Sequence, residues 1–147
     1  MAHTIRQGTR SLGILATVVV AVLALGACNS AAADQDYAMI NSLRANNGLA
    51  QLSRSGELNT KAQAQADRMA NRGRIYHSTN LAAGVSPGWQ LIGENVAVAG
   101  SIEQAQSALE ASPGHLANML NGGFVEVGIG VTSSNGQVFV VQVFVGR

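Results

Sequence analysis

The chain opens with an apolar run from Leu12 to Ala27, broken by one polar side chain, Thr17. Ahead of it stand only His3, Arg6 and Arg10 as basic side chains, and every acid lies at or beyond Asp34. A basic start followed by a short apolar stretch is the pattern of an export signal. As a helix the run reaches about 24 Å, short of the ~30 Å of a hydrocarbon core. The pattern therefore argues against a permanent spanning helix and assigns residues 1–27 to a signal peptide.

Beyond the run the periodicity is helical, then alternating. Tyr37, Ile40, Leu43 and Arg44 recur at helical spacing, and Asn47-Gly48 offers a left-handed stop. Leu49 and Leu52 follow as plugs into the core. Leu58, Ala62, Ala66, Met69 and Ala70 form one stripe over Glu57–Arg72, and Gly73 ends it. That face is rich in Ala, so something must pack close against it. Residues 73 to 95 carry few periodic signals, with Gly84, Pro87, Gly88 and Gly93 marking irregular loops. Ser101 with Gln104 reads as a capping box that opens a helix to about Ala111. Ser112-Pro113 opens a further short helix, since Pro suits the first helical position. Its apolar residues are Leu116, Met119 and Leu120. Then Val125, Val127, Ile129 and Val131 alternate with Glu126, Gly128, Gly130 and Thr132. Asn135-Gly136 marks a hairpin turn. Val138 to Val145 is nearly all apolar, as for a central strand covered on both faces. Helices followed by an antiparallel hairpin make the chain α+β.

Composition narrows the function. Nine Lys+Arg against eight Asp+Glu leave a net charge of +1, which excludes an electrostatic nucleic-acid binder. Aromatic residues are 4% of the chain, too few for stacking on bases. At 47% hydrophobic the chain is not a disordered one. The single Cys, Cys28, allows neither an internal disulfide nor a Cys-based zinc cluster. Cys28 directly follows the apolar run. Leu25-Gly26-Ala27-Cys28 resembles the lipobox of bacterial lipoproteins, in which the Cys is acylated and becomes N-terminal. The alternative is ordinary cleavage near Ala31-Ala32-Ala33, which leaves a secreted protein. Residues 28–35 are then the lipidated Cys and a short tether, and 36–147 the folded domain.

Two His follow the leader, His77 and His115. His77 lies in Ile75-Tyr76-His77-Ser78, His115 in Ser112-Pro113-Gly114-His115, and Glu94 in Gly93-Glu94-Asn95. Two imidazoles and a carboxylate suit a zinc-type site completed by water and equally suit an acid/base group. Spacing alone joins none of them, because the two His are far apart in sequence. Read singly, Glu94 is a loop carboxylate accepting backbone N–H bonds, Ser112 a helix cap, and each His a solvated or capping side chain.

Several segments in order resemble the CAP superfamily, in its bacterial SCP/PR-1-like branch. They are Ile40-Asn41-x-Leu43-Arg44 with Gly48-Leu49-x-x-Leu52; Asp67-Arg68-Met69-Ala70; His77-Ser78; Gly93-Glu94-Asn95; Ser112-Pro113-Gly114-His115-x-x-Asn118-Met119-Leu120; Phe124-x-x-Val127-Gly128-Ile129-Gly130; and Val141-Gln142-x-Phe144. The resemblance implies an α-β-α sandwich with a small antiparallel sheet between helical layers. It implies that His77, Glu94 and His115 converge in one open cleft, with His77 and His115 able to hold Zn2+ or another divalent metal. The family often has a Trp followed three residues later by Glu before the Gly-His pair. Here Leu109 and Ser112 stand at those places. Glu110 is rotated about 200° from Ser112 on a helix. The resemblance thus gives this chain a triad plus the Ser112 hydroxyl, and weakens the metal site.

The expected function is a monomeric, membrane-anchored extracytoplasmic lipoprotein of this family, on the outer face of the cell membrane or envelope. Its cleft would bind a small, lipidic or cell-wall ligand, with Trp89 and the loop Leu81–Gly88 forming an apolar lip unless Trp89 simply packs in the core. The alternative is a divalent-metal-dependent hydrolase, with His77 and His115 on the metal and Glu94 as the catalytic base. A third reading is a structural surface protein. Nucleic acid is excluded as a partner.

Overall fold

A computed structural model describes the backbone of residues 13–147 and side chains from Asn29 onward. Residues 1–12 and the Cys28 side chain, on which part of the signal-peptide reading and the lipidation reading fall, lie outside the described residues. Among the described residues no helix is long and apolar enough to cross a membrane.

The chain runs α1 Gly13–Asn46, β1 Ser53–Arg54, α2 Gly56–Arg72, β2 Leu91–Ala99, α3 Ile102–Ala111, α4 Pro113–Met119, β3 Glu126–Ser134 and β4 Gln137–Gly146. The four strands lie in the order β1-β3-β4-β2. β4 is central, as its continuous apolar run required. β3 and β4 pair antiparallel around the Asn135-Gly136 turn, and β2 pairs antiparallel with β4 from Leu91–Gly146 to Ala99–Val138. The sheet expected to be wholly antiparallel has one parallel pair, Ser53–Arg54 beside Glu126–Val127. The chain reaches that pair through Gly48-Leu49 and α1, so β1 arrives in the same direction as β3. The result is an α+β sandwich around a small mixed sheet.

Two cores flank the sheet. On one side Leu58, Ala62, Ala66, Met69 and Ala70 of α2 pack on Val96, Phe139, Val141, Val143 and Val145. On the other, Ile40, Ile102, Ala105, Leu109 and Met119 pack on Val127, Ile129, Val131, Val140 and Phe144. Alternation along β3 sends its Val/Ile side chains to the second core, so Gly128 and Gly130 face α2. A Cβ at Gly128 would stand 2.1 Å from the Leu58 carbonyl carbon, and one at Gly130 2.2 Å from that of Ala62. The Ala-rich face of α2 is thus the counterpart of a strand without side chains on that face.

Three local readings differ from the structure. Residues 29–35, expected as a tether, are helical and continue into α1. Ala31-Ala32-Ala33 is strong helix-forming sequence with no Gly or Pro to break it. Ala32 and Ala33 pack on the core. The Asn29 amide oxygen accepts from Ser133 N–H and O–H, and Asp34 pairs with Arg54. Second, the stretch to residue 95 contains the start of β2. Glu94-Asn95 interrupts its apolar pattern, and its neighbours Gly93 and Gln90 favour no strand. Third, Gln104 of the capping box reaches the Gly100 N–H at 3.1 Å, not Ser101's own. Ser101 Oγ still accepts from Gln104 N–H. Ser101→Ala is expected to lower stability by about 1 kcal/mol in urea titrations, and an unchanged midpoint would mean that this cap carries no weight.

Arg44 is only 1% exposed, yet it has no acidic partner among the described residues. Its guanidinium donates to the carbonyls of Ala50, Met119 and Asn121 at 2.8–2.9 Å. It therefore ties the end of α1 to the end of α4 and to the segment entering β3.

Candidate functional site at the edge of the sheet

β2 is an edge strand, and the candidate residues gather along it. Ile92, Val96 and Val98 contact the α2-side core, so Glu94, in phase with them, points to that face. His77 and Ser78 come from the segment following α2. His77 Nδ1 lies 2.9 Å from Glu94 Oε1. Because a carboxylate only accepts, His77 Nδ1–H donates to it, and Nε2 is the outward ring nitrogen. Ser78 N–H donates to the same oxygen at 2.8 Å, and Ser78 O–H to Oε2 at 2.5 Å. The Glu94 side chain is 2% exposed and that of His77 60%. Glu94 is thus a buried anchor that fixes the orientation of an exposed imidazole.

His115 is held from the other side of β2 by α4. The buried Asn95 amide donates to the His115 carbonyl at 3.1 Å and to Gln142 Oε1 at 3.0 Å. Asn118 Nδ2 donates to Asn95 Oδ1 at 2.9 Å. Burial lowers the pKa of His115, and the nearby charge of His77 lowers it further. His115 is therefore neutral at neutral pH, and the two imidazoles lie within electrostatic reach of one another. No hydrogen bond joins His115 to Glu94 or His77 among the described residues.

Ser112 is the residue before α4, and its side chain makes no capping hydrogen bond. It makes none to His77, Glu94 or His115 either. Trp89 is not a core residue: it is 36% exposed, and Leu91 is 43% exposed. Leu81 and Val85 of the neighbouring loop turn inward onto the α2-side core.

The site rests on a buried polar chain that the sequence reading missed. Gln142 Nε2 lies within 3.1 Å of both Asp36 carboxylate oxygens and of Gln106 Oε1. Gln106 Nε2 in turn donates to Glu110 at 2.9 Å. Asp36 is fully buried. Burial pushes its pKa up to about 7, the Gln142 hydrogen bond opposes that, and Glu110 adds to it. One signal was available: Gln142 is the single polar side chain inside Val138–Val145. Ser78, which fixes both oxygens of Glu94, carried no signal beyond its place next to His77.

The donor set for a metal consists of His77 Nε2 and the neutral ring of His115. A carboxylate behind a ligating His is a familiar support, and Glu94 fits that role. Structural and catalytic zinc sites take three or four protein ligands. Among the described residues no group of three or more His, Cys, Asp or Glu is arranged to hold a metal ion. The residues fit two ligands of a solvent-completed ion and no more.

A mixed sheet between α2 and the α1–α3–α4 layer, with a His–Glu pair on its edge strand, defines an SCP-like α+β sandwich. Residues 37–144 match the family model described as Cysteine-rich secretory protein family, CAP, and the chain belongs to that family. No curated protein sequence matches the chain. Among solved structures it is similar to an extracellular protein containing an SCP domain from Bacillus anthracis, with TM-score 0.75 and 23% identity over 84% of this chain. The chain spans 43% of that protein's length. It is also similar to an outer surface protein from Borrelia burgdorferi, with TM-score 0.65 and 21% identity, covering 76% of this chain and 89% of that one. NaASP2, solved with Zn2+, matches with TM-score 0.58 and 18% identity over 79% of this chain and 80% of that one. At these identities the likeness is one of fold.

Proposed function

We propose that this chain is an exported, monomeric binding module that takes a small, lipidic or cell-wall ligand at the His77–Glu94–His115 edge. The observation that carries this reading is the state of Glu94. Three hydrogen bonds from His77 and Ser78 occupy its two oxygens, and its side chain is almost wholly buried. A general base must reach the proton that it takes, directly or through one water. Glu94 is instead committed to orienting His77. What faces outward is an imidazole of fixed direction, within electrostatic reach of a second, neutral imidazole. That is a surface suited to recognition.

Export is supported by the basic start and apolar run before Cys28, and by two similar structures, one of an extracellular and one of an outer surface protein. Acylation of Cys28 would place the domain on the outer face of the membrane, with more than one acyl chain needed for stable anchoring. Binding of Zn2+ by His77 and His115 is a second reading, favoured by the zinc-bound NaASP2 and by the Glu94-supported imidazole. It would supply a Lewis acid with solvent in its open positions.

The test is retention on isolated cell-wall and lipid fractions, with Zn2+ titration by calorimetry alongside near pH 7.5. His77→Ala and His115→Ala are expected to lower retention about tenfold, equivalent to about 1.4 kcal/mol each. Retention that is absent, or equal in the variants, removes the proposal. Metal-dependent turnover abolished by Glu94→Gln would transfer the site to the hydrolase reading.

A further inference from the structure

A concavity lies between α2 and the segment 76–84, lined by the chain neighbours of His77 but not by His77 itself. It has a volume of about 800 Å3, within the range of small-molecule sites. Lys61, Arg68 and Arg72 line it, with Gln65 and Tyr76 in its wall. On a helix, residues 61, 65, 68 and 72 recur at the spacing of one stripe, so a single face of α2 supplies the cations.

The two guanidiniums are positioned but not neutralised, while Lys61 feels the charge of Glu94. Arg68 donates through Nε and Nη2 to Gln65 Oε1, at 3.0 and 2.8 Å. Gln65 is itself fixed by donating to the Tyr76 carbonyl at 2.6 Å. The far edge of the Arg68 guanidinium keeps its donors. The Arg72 guanidinium sits over the Tyr76 ring at 4.8 Å, and Arg74 stacks at 5.6 Å. Lys61 Nζ donates to the carbonyls of Asn80 and Ala83 at 3.2 and 2.8 Å, leaving one of its three N–H groups. Neither Arg68 nor Arg72 pairs with a carboxylate among the described residues. Glu57, the acid at the rim, is bound by the N–H and O–H of Ser86. The Tyr76 hydroxyl in the same wall is the one buried side-chain polar atom without a partner among the described residues. A buried polar group left so costs about 1–3 kcal/mol.

We infer that the groove between α2 and segment 76–84 binds the phosphate group of an organic phosphate through Arg68, Arg72 and the remaining N–H of Lys61. Two guanidiniums one helical turn apart offer the planar forks that phosphate takes in bidentate fashion. Stacking on Tyr76 and the bond to Gln65 hold them ready, which lowers the entropy lost on binding. The Tyr76 ring and Ala64 and Ala83 supply apolar surface for the organic part. The inference rests on different side chains from the imidazole site, although Ser78 belongs to both and the Glu94 charge reaches Lys61.

The experiment uses the full chain in a neutral detergent, titrated with phenyl phosphate and, separately, inorganic phosphate, followed by calorimetry. Saturable one-to-one binding of phenyl phosphate is expected, weaker at high salt. The Arg68→Gln/Arg72→Gln variant should lose at least about tenfold in affinity. Both residues are exposed, so the variant should stay folded by circular dichroism, with a small drop in Tm from the lost bonds to Gln65. His77→Ala/His115→Ala should bind phenyl phosphate as the parent does, which separates this result from the imidazole site. Co-sedimentation with phosphatidylcholine vesicles containing phosphatidic acid, above uptake by phosphatidylcholine alone and lost in the Arg variant, would identify a lipid headgroup. Phenyl phosphate binding without it would identify a soluble phosphate. No saturable binding by the folded chain, or equal binding by the Arg variant, overturns the inference.

Discussion

Asp36→Asn is expected to stabilise the protein in alkaline solution relative to its stability in acid. The Asp36 pKa rises from 3.8 to about 7 on folding, chiefly through burial. The folded state therefore prefers the protonated acid. Below the unfolded value both states are protonated, and the charge costs nothing. As pH rises from about 4 towards 7, the unfolded chain releases its proton first and stability falls. Above pH 7 the whole penalty is present, on the order of 4 kcal/mol for a shift of about three units. Asn cannot ionise, so the stability of the variant minus that of the parent should climb by about that amount between pH 4 and pH 8. Near pH 4, where folded Asp36 is protonated, the variant should be about 1 kcal/mol less stable, since the Asn amide brings one more N–H donor into a buried place than the acid O–H did. His115 acts with the opposite sign: its lowered pKa gives stability that is complete above the ordinary His value and lost as pH falls through the folded one. The comparison must therefore be made against the parent at each pH, by urea titration. Parallel stability profiles for the two proteins would show that Asp36 is not the group responsible.

Gly130→Ala is expected to unfold much of the population at moderate temperature. Its Cβ would lie 2.2 Å from the Ala62 carbonyl carbon, 2.3 Å from Gln63 N and 2.4 Å from the Ala62 carbonyl oxygen. All three are backbone atoms of α2, so no side chain can rotate away. Relief requires α2 to lift from the sheet, opening the core that Leu58, Ala66 and Met69 fill. The cost should be at least about 3 kcal/mol, the upper range for overpacking, with a Tm lowered by about 10 °C or more. Gly128→Ala should behave alike, since its Cβ would meet the Leu58 carbonyl carbon and Asn59 N. Gly56→Ala is the control: nothing lies within 4 Å of its Cβ and its φ is not positive, so its melt should stay near the parent's. A Gly130→Ala protein melting with the control would mean that α2 does not rest on β3 as described.

The helices and the hairpin were legible because each is set by neighbours within a turn or two. The stripe Leu58–Ala70 gave α2 and Gly73 its end, where the backbone turns left-handed at φ 62. Asn135 and Gly136 both have positive φ, as a tight hairpin requires. The Ser101 cap and the Pro113 helix start were read from single residues, and the family resemblance was read from motifs in order. β2 was not legible, since its polar pair Glu94-Asn95 hides an edge strand inside loop-like sequence. The helical course of residues 29–35 was masked by their small, tether-like composition.

The sequence by itself determined the α+β class, the apolar run Leu12–Ala27, the Ala-rich face of α2 and the identity of the imidazole and carboxylate groups. Only the tertiary structure decided how those groups are held. Ser78 and Glu94 meet across 16 residues of chain, and Gln142 and Asp36 across 106. No local period encodes such a pairing. A hydrogen bond needs its partners within about 3 Å and aligned, and that alignment exists only once β4, α1 and the edge strand have packed. The same packing puts Glu94, read as a loop carboxylate accepting backbone N–H bonds, on an edge strand where it accepts the Ser78 N–H and also anchors His77. It turns Gly128 and Gly130 from gaps in an alternating strand into the contact on which α2 sits.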